Sequence, residues 1–185
     1  MKRIAVHLAT GFEEIEAVTI IDVLRRAGYN VIIISMTNEH LVKGSHQITI
    51  QADQLFSELD YEDVDMIVLP GGTPGAENLD RHEGLKSRIL KFNEKQKPLA
   101  AICAGPMVLG HLNLLKGKKA VCYPGFEKEL YGATIENKPA VIDGKFITGK
   151  GVGAALKFAL KIVEMFENKE KAEKLAKAMV MDSWE

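Results

Sequence analysis

Four short apolar runs without polar alternation constrain the fold of this chain most strongly. They lie at residues 4–9, 31–36, 66–70 and 98–102. Each run is too short for a buried helix and is bounded by Gly, Pro or charged residues. This pattern is typical of strands that are buried on both faces of a parallel sheet.

Helical patterns alternate with these runs. They cover residues 13–27, which Gly28 closes, residues 82–95, and residues 106–115, where Pro106 occupies the first turn. Strands that alternate with helices predict an α/β fold, with a doubly wound, mostly parallel sheet covered by helices on both faces.

The last third of the chain changes character. Residues 119–148 contain short strand-like runs separated by turn signals at Pro124-Gly125 and Asp143-Gly144, which predict an appended β-hairpin at the sheet edge. Residues 152–180 return to a helical pattern, in two amphipathic pieces hinged near Asn168.

Composition narrows the function classes. The 185 residues are 46% hydrophobic and 26% charged, and neither a repeat nor a linker divides them, so we expect one domain spanning 1–185. The net charge of −1 lacks the excess of one sign that would favour nucleic acid or an anionic membrane as a partner. No run reaches the ~20 apolar residues of a membrane span, and polar residues interrupt the N-terminal run before it could form a signal peptide. We therefore expect a cytoplasmic enzyme or binding protein.

Cys103 is the first candidate for chemistry. It directly follows a predicted strand and precedes the helix that begins near Pro106, with Gly105 permitting a tight turn, which is the geometry of a nucleophile elbow. The helix dipole and unpaired backbone amides at such a turn favour the thiolate. A buried structural cysteine is the alternative, and spacing alone leaves both interpretations open. Cys122, without a helix start or glycine turn beside it, is interpreted as structural.

Glu16 lies on the apolar side of the first predicted helix, in line with Ile20, Val23 and Ala27. A carboxylate there needs a partner or a proton, and burial would raise its pKa. The alternative is that Glu16 only complements the helix dipole. Because the loop after the first strand and the loop of Cys103 share one sheet edge, a protonated Glu16 could donate a hydrogen bond to the Cys103 sulfur.

Two glycine loops follow predicted strands. Gly71 and Gly72 would let backbone amides approach a ligand closely, which suits an oxyanion site, but the Lys-Ser/Thr of a nucleotide-phosphate loop is missing. The loop at 149–154 matches a dinucleotide fingerprint only formally, since no further strand or ribose-binding acid follows it.

The histidines show no metal-binding spacing. None of the five forms an i, i+4 pair or lies next to acids in a ligating pattern. The sequence therefore predicts neither a metal site nor a cofactor. The five are His7, His40, His46, His82 and His111.

Taken together, the motifs resemble the ThiJ/PfpI superfamily. The resemblance rests on segments spread over essentially the whole chain, and it is strongest to the branch of the parkinsonism-associated deglycase and bacterial YajL. These segments are GFEEIEAV (11–18), LRRAG (24–28), VLPGGTPGAENL (68–79), AAICAGP (100–106) and the late GKGVG before a helix.

The resemblance implies a flavodoxin-like fold, a homodimer and a specific site. Cys103 would be the reactive nucleophile, Glu16 the protonated carboxyl that touches it, and the amides of Gly72 and Ala104 the lining of an oxyanion site. The activities implied are conversion of methylglyoxal to lactate of the glyoxalase III type, deglycation of early adducts, redox-linked chaperoning and, in another branch, peptidase action.

The chain departs from the superfamily pattern in three places. Tyr123 precedes Pro124 where many relatives have a histidine, so a Cys-His dyad is missing, which weakens the peptidase hypothesis. Val152 lies in a loop where many relatives have Gly-Pro-Gly-Thr, and it would reshape the pocket rim. Arg26 and His46 match positions near the pocket or dimer interface of relatives, where the second is commonly arginine.

Two hypotheses follow from these residues. In the first, the chain is an enzyme in which Cys103 attacks a small α-oxoaldehyde or a glycated adduct, Glu16 moves the proton and the Gly72 loop holds the oxyanion. In the second, it is a redox-responsive chaperone or oxidative-stress sensor without turnover. A cysteine peptidase or amidase is the weaker third possibility.

Overall fold

The computed structural model describes residues 1–181 and Ser183. The strands in these residues are β1 (Arg3–Leu8), β2 (Asn30–Ser35), β3 (Leu41–Lys43), β4 (Thr49–Gln51), β5 (Gln54–Leu55), β6 (Met66–Leu69), β7 (Leu99–Ile102), β8 (Lys119–Ala120), β9 (Thr134–Ile135), β10 (Ala140–Asp143) and β11 (Phe146–Gly149). The α-helices are α1 (Glu14–Arg26), α2 (Gly75–Arg81), α3 (Glu83–Glu94), α4 (Pro106–His111), α5 (Ala155–Phe166) and α6 (Lys169–Ala178). None of these helices combines the length and the apolar character that crossing a membrane requires.

The central sheet has the strand order β10-β11-β7-β6-β1-β2-β5. All neighbouring strands pair in parallel except β10 and β11, which form an antiparallel hairpin at one edge. The predicted flavodoxin-like α/β fold, with its mostly parallel sheet and edge hairpin, is confirmed. The four apolar runs form β1, β2, β6 and β7.

Burial on both faces explains why the runs lack polar alternation. In β1, Ile4 and Val6 belong to one apolar cluster and Ala5 belongs to the other, because successive side chains point to opposite faces. Helices α1 and α5 cover the first face, and α2, α3 and α4 cover the second. The sheet is therefore a buried middle layer.

Several boundaries differ from the prediction. The helix expected over 82–95 begins at Glu83, because the His82 side chain caps it by accepting a hydrogen bond from the Leu85 amide, and α2 comes directly before it. The helix expected over 106–115 ends at His111, and Asn113 has a left-handed φ of 58° that no α-helix continues through.

Two small pairs of strands lie apart from the central sheet. The antiparallel pair of β3 and β4 was not predicted from the sequence, and β8 and β9 form a parallel pair instead of joining the edge hairpin. The tail forms α5 and α6, with the Asn168 side chain capping α6, as expected.

Phe158 of α5 gives a test of the layer arrangement. Its side chain is fully buried, so Phe158→Ala should lower the free energy of unfolding by about 3–5 kcal/mol through lost burial and a residual cavity. Leu156→Ala, at a 40% exposed position on the same helix, should cost much less. Urea unfolding of both variants measures the free energy of unfolding. Equal losses in the two variants would contradict the assignment of Phe158 to the buried face of α5.

Candidate active site

Three chain segments meet at the carboxyl edge of the central strands. The loop after β1 leads into α1, the loop after β6 contains Gly71 and Gly72, and β7 ends directly before Cys103. Because β7, β6 and β1 are neighbours in the sheet and run parallel, their following loops converge at one place.

Cys103 occupies a strained turn. It is a non-glycine residue with a left-handed φ of 64°, a conformation that costs about 1–3 kcal/mol and is kept only where the surroundings enforce it. Its amide donates to the Gly149 carbonyl at 2.9 Å, and its carbonyl accepts from the Tyr123 amide at 2.8 Å. These two bonds fix the backbone of the turn, and α4 begins three residues later.

Glu16 is fully buried in the first turn of α1. Its Oε2 accepts a hydrogen bond from the Gly71 amide at 2.9 Å, whereas Oε1 has no hydrogen-bond partner of suitable geometry in the described part of the chain. The N-cap is Glu13, whose carboxylate accepts from the Glu16 amide at 2.7 Å. The cap role thus belongs to Glu13, and the Glu16 side chain turns inward.

Gly71 lies between the Glu16 carboxyl and the Cys103 thiol. A Cβ atom at Gly71 would come within 2.5 Å of the Cys103 Cβ and within 2.9 Å of both the Cys103 Sγ and the Glu16 Oε2. Cβ atoms in proteins essentially never approach another non-bonded heavy atom within 3.0 Å. Only glycine at this position lets the two functional groups approach each other.

The pKa values of the two groups are coupled. Burial raises the pKa of Glu16 to about 7, with the charge of Glu13 adding to the rise and the Gly71 amide and Cys103 opposing it. Burial and then the negative charge of Glu16 raise the pKa of Cys103 to about 12, although the amides of Ala104 and Gly72 favour the thiolate. Between these values the pair holds one proton.

The acidifying effect expected of the helix dipole is opposed in this site by burial and by the charge of Glu16, which both raise the pKa of Cys103. The helix start and the turn are present, but the sequence could not show that the sulfur is buried beside a carboxylate, and both effects disfavour the thiolate. The thiol of Cys103 loses its proton in this site when the Glu16 carboxylate accepts that proton. Glu16 consequently decides the reactivity of Cys103.

The glycine loop and the elbow supply amides with different partners. The amides of Gly72 and Ala104 favour the thiolate of Cys103, while the Gly71 amide is committed to Glu16. This leaves Gly72 and Ala104 as the amide donors available beside the sulfur. Their function as an oxyanion site stays a prediction.

Tyr123 and Val152 lie on one side of the thiol. They line a cleft of about 580 Å³ together with the loop at 150–154. A Cβ atom at Gly151 would lie 3.2 Å from the Tyr123 ring and 3.9 Å from the Cys103 sulfur, so the cleft that Gly151 lines is adjacent to the thiol. Tyr123 is half-exposed and Val152 is 38% exposed, in agreement with positions on a pocket rim.

The structure does not bring Arg26 to Cys103. Arg26 lies in the last turn of α1 and pairs with Asp22, and ten residues of helix place it about 15 Å along the axis from Glu16. His46 lies on the loop between β3 and β4 and contacts Glu14. Neither residue has a described contact with the thiol.

The structure brings together Glu13, Glu14 and His46, a cluster that the sequence did not reveal. Each of the three offers one ligand atom, and these atoms lie within 4.8 Å of one another. The absence of a ligating spacing argued against a metal site, but 32 residues separate His46 from Glu14, so only the tertiary fold could reveal the cluster.

Comparison with known proteins identifies the family of this chain. The model of the DJ-1/PfpI family matches residues 2–165. The chain belongs to the DJ-1/PfpI family. This confirms the superfamily membership that the motifs predicted.

Alignments with individual relatives cover most of the chain. "Protein DJ-1 homolog B" from Arabidopsis thaliana is 42% identical over 97% of this chain. The matched region is only 41% of that protein's length. "Putative cysteine protease YraA" from Bacillus subtilis is 33% identical over 80% of this chain and 89% of its own. The solved structure of "Toxoplasma gondii DJ-1, oxidized" has a TM-score of 0.94 at 37% identity and covers 99% of this chain and 100% of its own.

The pH dependence of Cys103 alkylation tests whether Glu16 accepts the proton of the Cys103 thiol. Below about pH 7 both groups keep their protons, and above it the Glu16 carboxylate can accept the thiol proton, so the rate should rise with a midpoint near pH 7. In Glu16→Gln and Glu16→Leu no carboxylate is available, and the midpoint should move upward toward that of a buried thiol.

Asp22→Leu is the matched control, because Asp22 is a half-exposed carboxylate on the same helix. Iodoacetamide labelling followed by peptide mass spectrometry gives the rate at each pH. An unchanged midpoint in both Glu16 variants would show that Glu16 does not hold the proton of the pair.

Proposed function

We propose that this chain is a cysteine-dependent enzyme of the glyoxalase III or deglycase type, acting on methylglyoxal or on early glycation adducts. The observation that carries the proposal is the pair of Glu16 and Cys103, which shares one proton beside the amides of Gly72 and Ala104. A general base with a pKa near 7 is well matched to deprotonating a nucleophile at neutral pH.

In the first step of this proposal, the Cys103 sulfur attacks the aldehyde carbon of the α-oxoaldehyde. The S–C bond forms, the carbonyl π bond breaks, and the thiol proton passes to the Glu16 carboxylate. The amides of Gly72 and Ala104 are the donors available to the resulting oxyanion. Protonation of that oxygen completes a hemithioacetal.

In the second step, Glu16 returns to its base form and moves the proton of the former aldehyde carbon to the adjacent carbonyl carbon through an enediol. The product is a thioester of a 2-hydroxy acid, which water hydrolyses to lactate and the free thiol. The net change is the addition of one water molecule without an external oxidant or reductant. The proposal therefore invokes no cofactor.

The surroundings of Cys103 favour this reaction over peptide hydrolysis. The described contacts of the thiol involve Glu16 and backbone amides, and Tyr123 stands where a dyad histidine would be needed to protonate a leaving amine. The cleft lined by Tyr123 and Val152 is open and suits a small carbonyl compound or adduct. We place the reaction in the cytoplasm, and neither nucleic acid nor a membrane is part of the proposal.

We also propose that the chain acts as a homodimer. Ile15 and Val18 on the outer side of α1 are 57% and 49% exposed, and Ile48 beside them on the β3–β4 hairpin is 57% exposed. The Ile48 amide donates to a Glu14 carboxylate oxygen, which joins the hairpin to α1. An apolar surface formed by two elements favours burial against a second copy.

Replacement of each cysteine tests the enzyme proposal. Cys103→Ser should lower methylglyoxal turnover at least about a hundredfold, because a hydroxyl is a weaker nucleophile and a weaker acid than a thiol. Cys122 is the matched control, since it is also buried but lies outside the strand-to-helix turn. Lactate formation by purified variants measures both. Equal losses in Cys103→Ser and Cys122→Ser would refute the assignment of the nucleophile.

A redox-sensor function is the second candidate, favoured by the Glu16 carboxyl beside the thiol, whose Oε1 has no hydrogen-bond partner of suitable geometry among the described residues. Peroxide oxidises the sulfur to sulfenate and a second equivalent to sulfinate. A protonated Glu16 would donate to a sulfinate oxygen and stabilise that product. We expect mild peroxide to give sulfinate at Cys103, and Glu16→Leu to shift products toward sulfenate adducts or sulfonate. Peptide mass spectrometry decides, and identical distributions would remove Glu16 from this function.

The oligomeric state tests the apolar surface. Ile15→Glu should convert the proposed dimer to a monomer, because two carboxylates would be buried at a two-fold interface. Leu90→Glu is the control, since Leu90 is 40% exposed on α3, on the opposite side of the sheet. Light scattering at micromolar concentration gives the masses. A monomer in the unmodified protein, or an unchanged dimer in Ile15→Glu, would contradict the proposal.

A further inference from the structure

A second polar cluster lies within one helical turn of Glu16. Glu13 and Glu14 begin α1, and His46 approaches them from the loop between β3 and β4. Both glutamates are buried, with 7% and 3% of their surface exposed, whereas the imidazole is mostly exposed. None of the three is required by the reaction proposed for Cys103.

Backbone amides hold one oxygen of each carboxylate, and the other oxygen of each lies toward His46. Glu13 Oε2 accepts from the Glu16 amide at 2.7 Å. Glu14 Oε1 accepts from the His46 amide at 2.6 Å and more weakly from the Ile48 amide at 3.4 Å. Glu13 Oε1 and Glu14 Oε2 are then directed toward His46 Nδ1, at 3.8 Å and 2.9 Å. This is the second-shell arrangement that orients ligands in metal sites.

These separations suit a tetrahedral ion. Two ligands that each lie about 2.0–2.1 Å from zinc are about 3.3 Å apart, and the two measured separations from His46 Nδ1 bracket that value. We propose that Glu13 Oε1, Glu14 Oε2 and His46 Nδ1 bind a divalent transition-metal ion of the zinc type.

The local charge supports a cation at this place. Among the described ion pairs, the partner of both carboxylates is His46, which carries at most one positive charge against two buried negative charges. The mixed nitrogen and oxygen donor set favours zinc and its neighbours over magnesium or calcium, which take oxygen ligands. Ser45 Oγ also donates to Glu14 Oε2 at 3.1 Å and would orient that oxygen in the loaded site.

Binding itself is independent of the reaction proposed above and is measured without turnover.

Competition with a chromophoric chelator measures Zn²⁺ binding directly. We expect one ion per chain in the unmodified protein and in Cys103→Ser, which excludes the thiol as the ligand. His46→Ala and His46→Arg should weaken binding at least tenfold, the lower end of the effect of removing even second-shell partners. His46 is mostly exposed, so both variants should fold, and His46→Arg keeps a cation beside Glu14. His40→Ala, at an exposed histidine near the same hairpin, should bind as the unmodified protein does.

Cobalt gives an independent view of the ligands. Bound Co²⁺ should show the visible absorption of a tetrahedral site without a sulfur-to-cobalt charge-transfer band, and Glu13→Gln should reduce this absorption. Zinc affinity that is unchanged in His46→Ala, zinc binding that disappears in Cys103→Ser, or no saturable binding by the unmodified protein would each overturn the proposal.

Discussion

Glu16 is buried beside Cys103, and the properties of the site follow from the proton that these two groups share. Neither group can ionise freely in this environment, because burial disfavours both charged forms and the two negative charges would repel each other. The thiol becomes nucleophilic only when the carboxyl takes its proton. Both proposed functions use this same contact, so they differ in the reagent that reaches the sulfur rather than in the site.

The fold makes this contact possible through two backbone features. Gly71 has no Cβ, which allows the carboxyl and the sulfur to approach from two different loops, and Cys103 adopts a left-handed conformation that aims its side chain at them. Strain at the elbow is compensated by the hydrogen bonds of its amide and carbonyl to Gly149 and Tyr123. The rigid, fully buried strands β6 and β7 hold both loops in register.

The start of α1 joins the reacting pair to the polar cluster on the hairpin. Glu13 accepts from the Glu16 amide with one carboxylate oxygen and faces His46 with the other. One side chain is thus a helix cap, an electrostatic neighbour of Glu16 and a proposed metal ligand.

The sequence by itself determined the sheet, its edge hairpin and the position of Cys103 at a strand-to-helix turn, because apolar periodicity and glycine placement are local properties of the chain. It also placed Glu16 on the apolar side of α1. Only the tertiary structure decided that this carboxyl meets the thiol and that burial raises the pKa of Cys103, against the effect of the helix dipole. It also decided that His46 reaches Glu14, which is 32 positions away in the chain. Those outcomes depend on which loops the sheet brings together and on how much water is excluded there, and neither quantity is encoded in the spacing of residues along the chain.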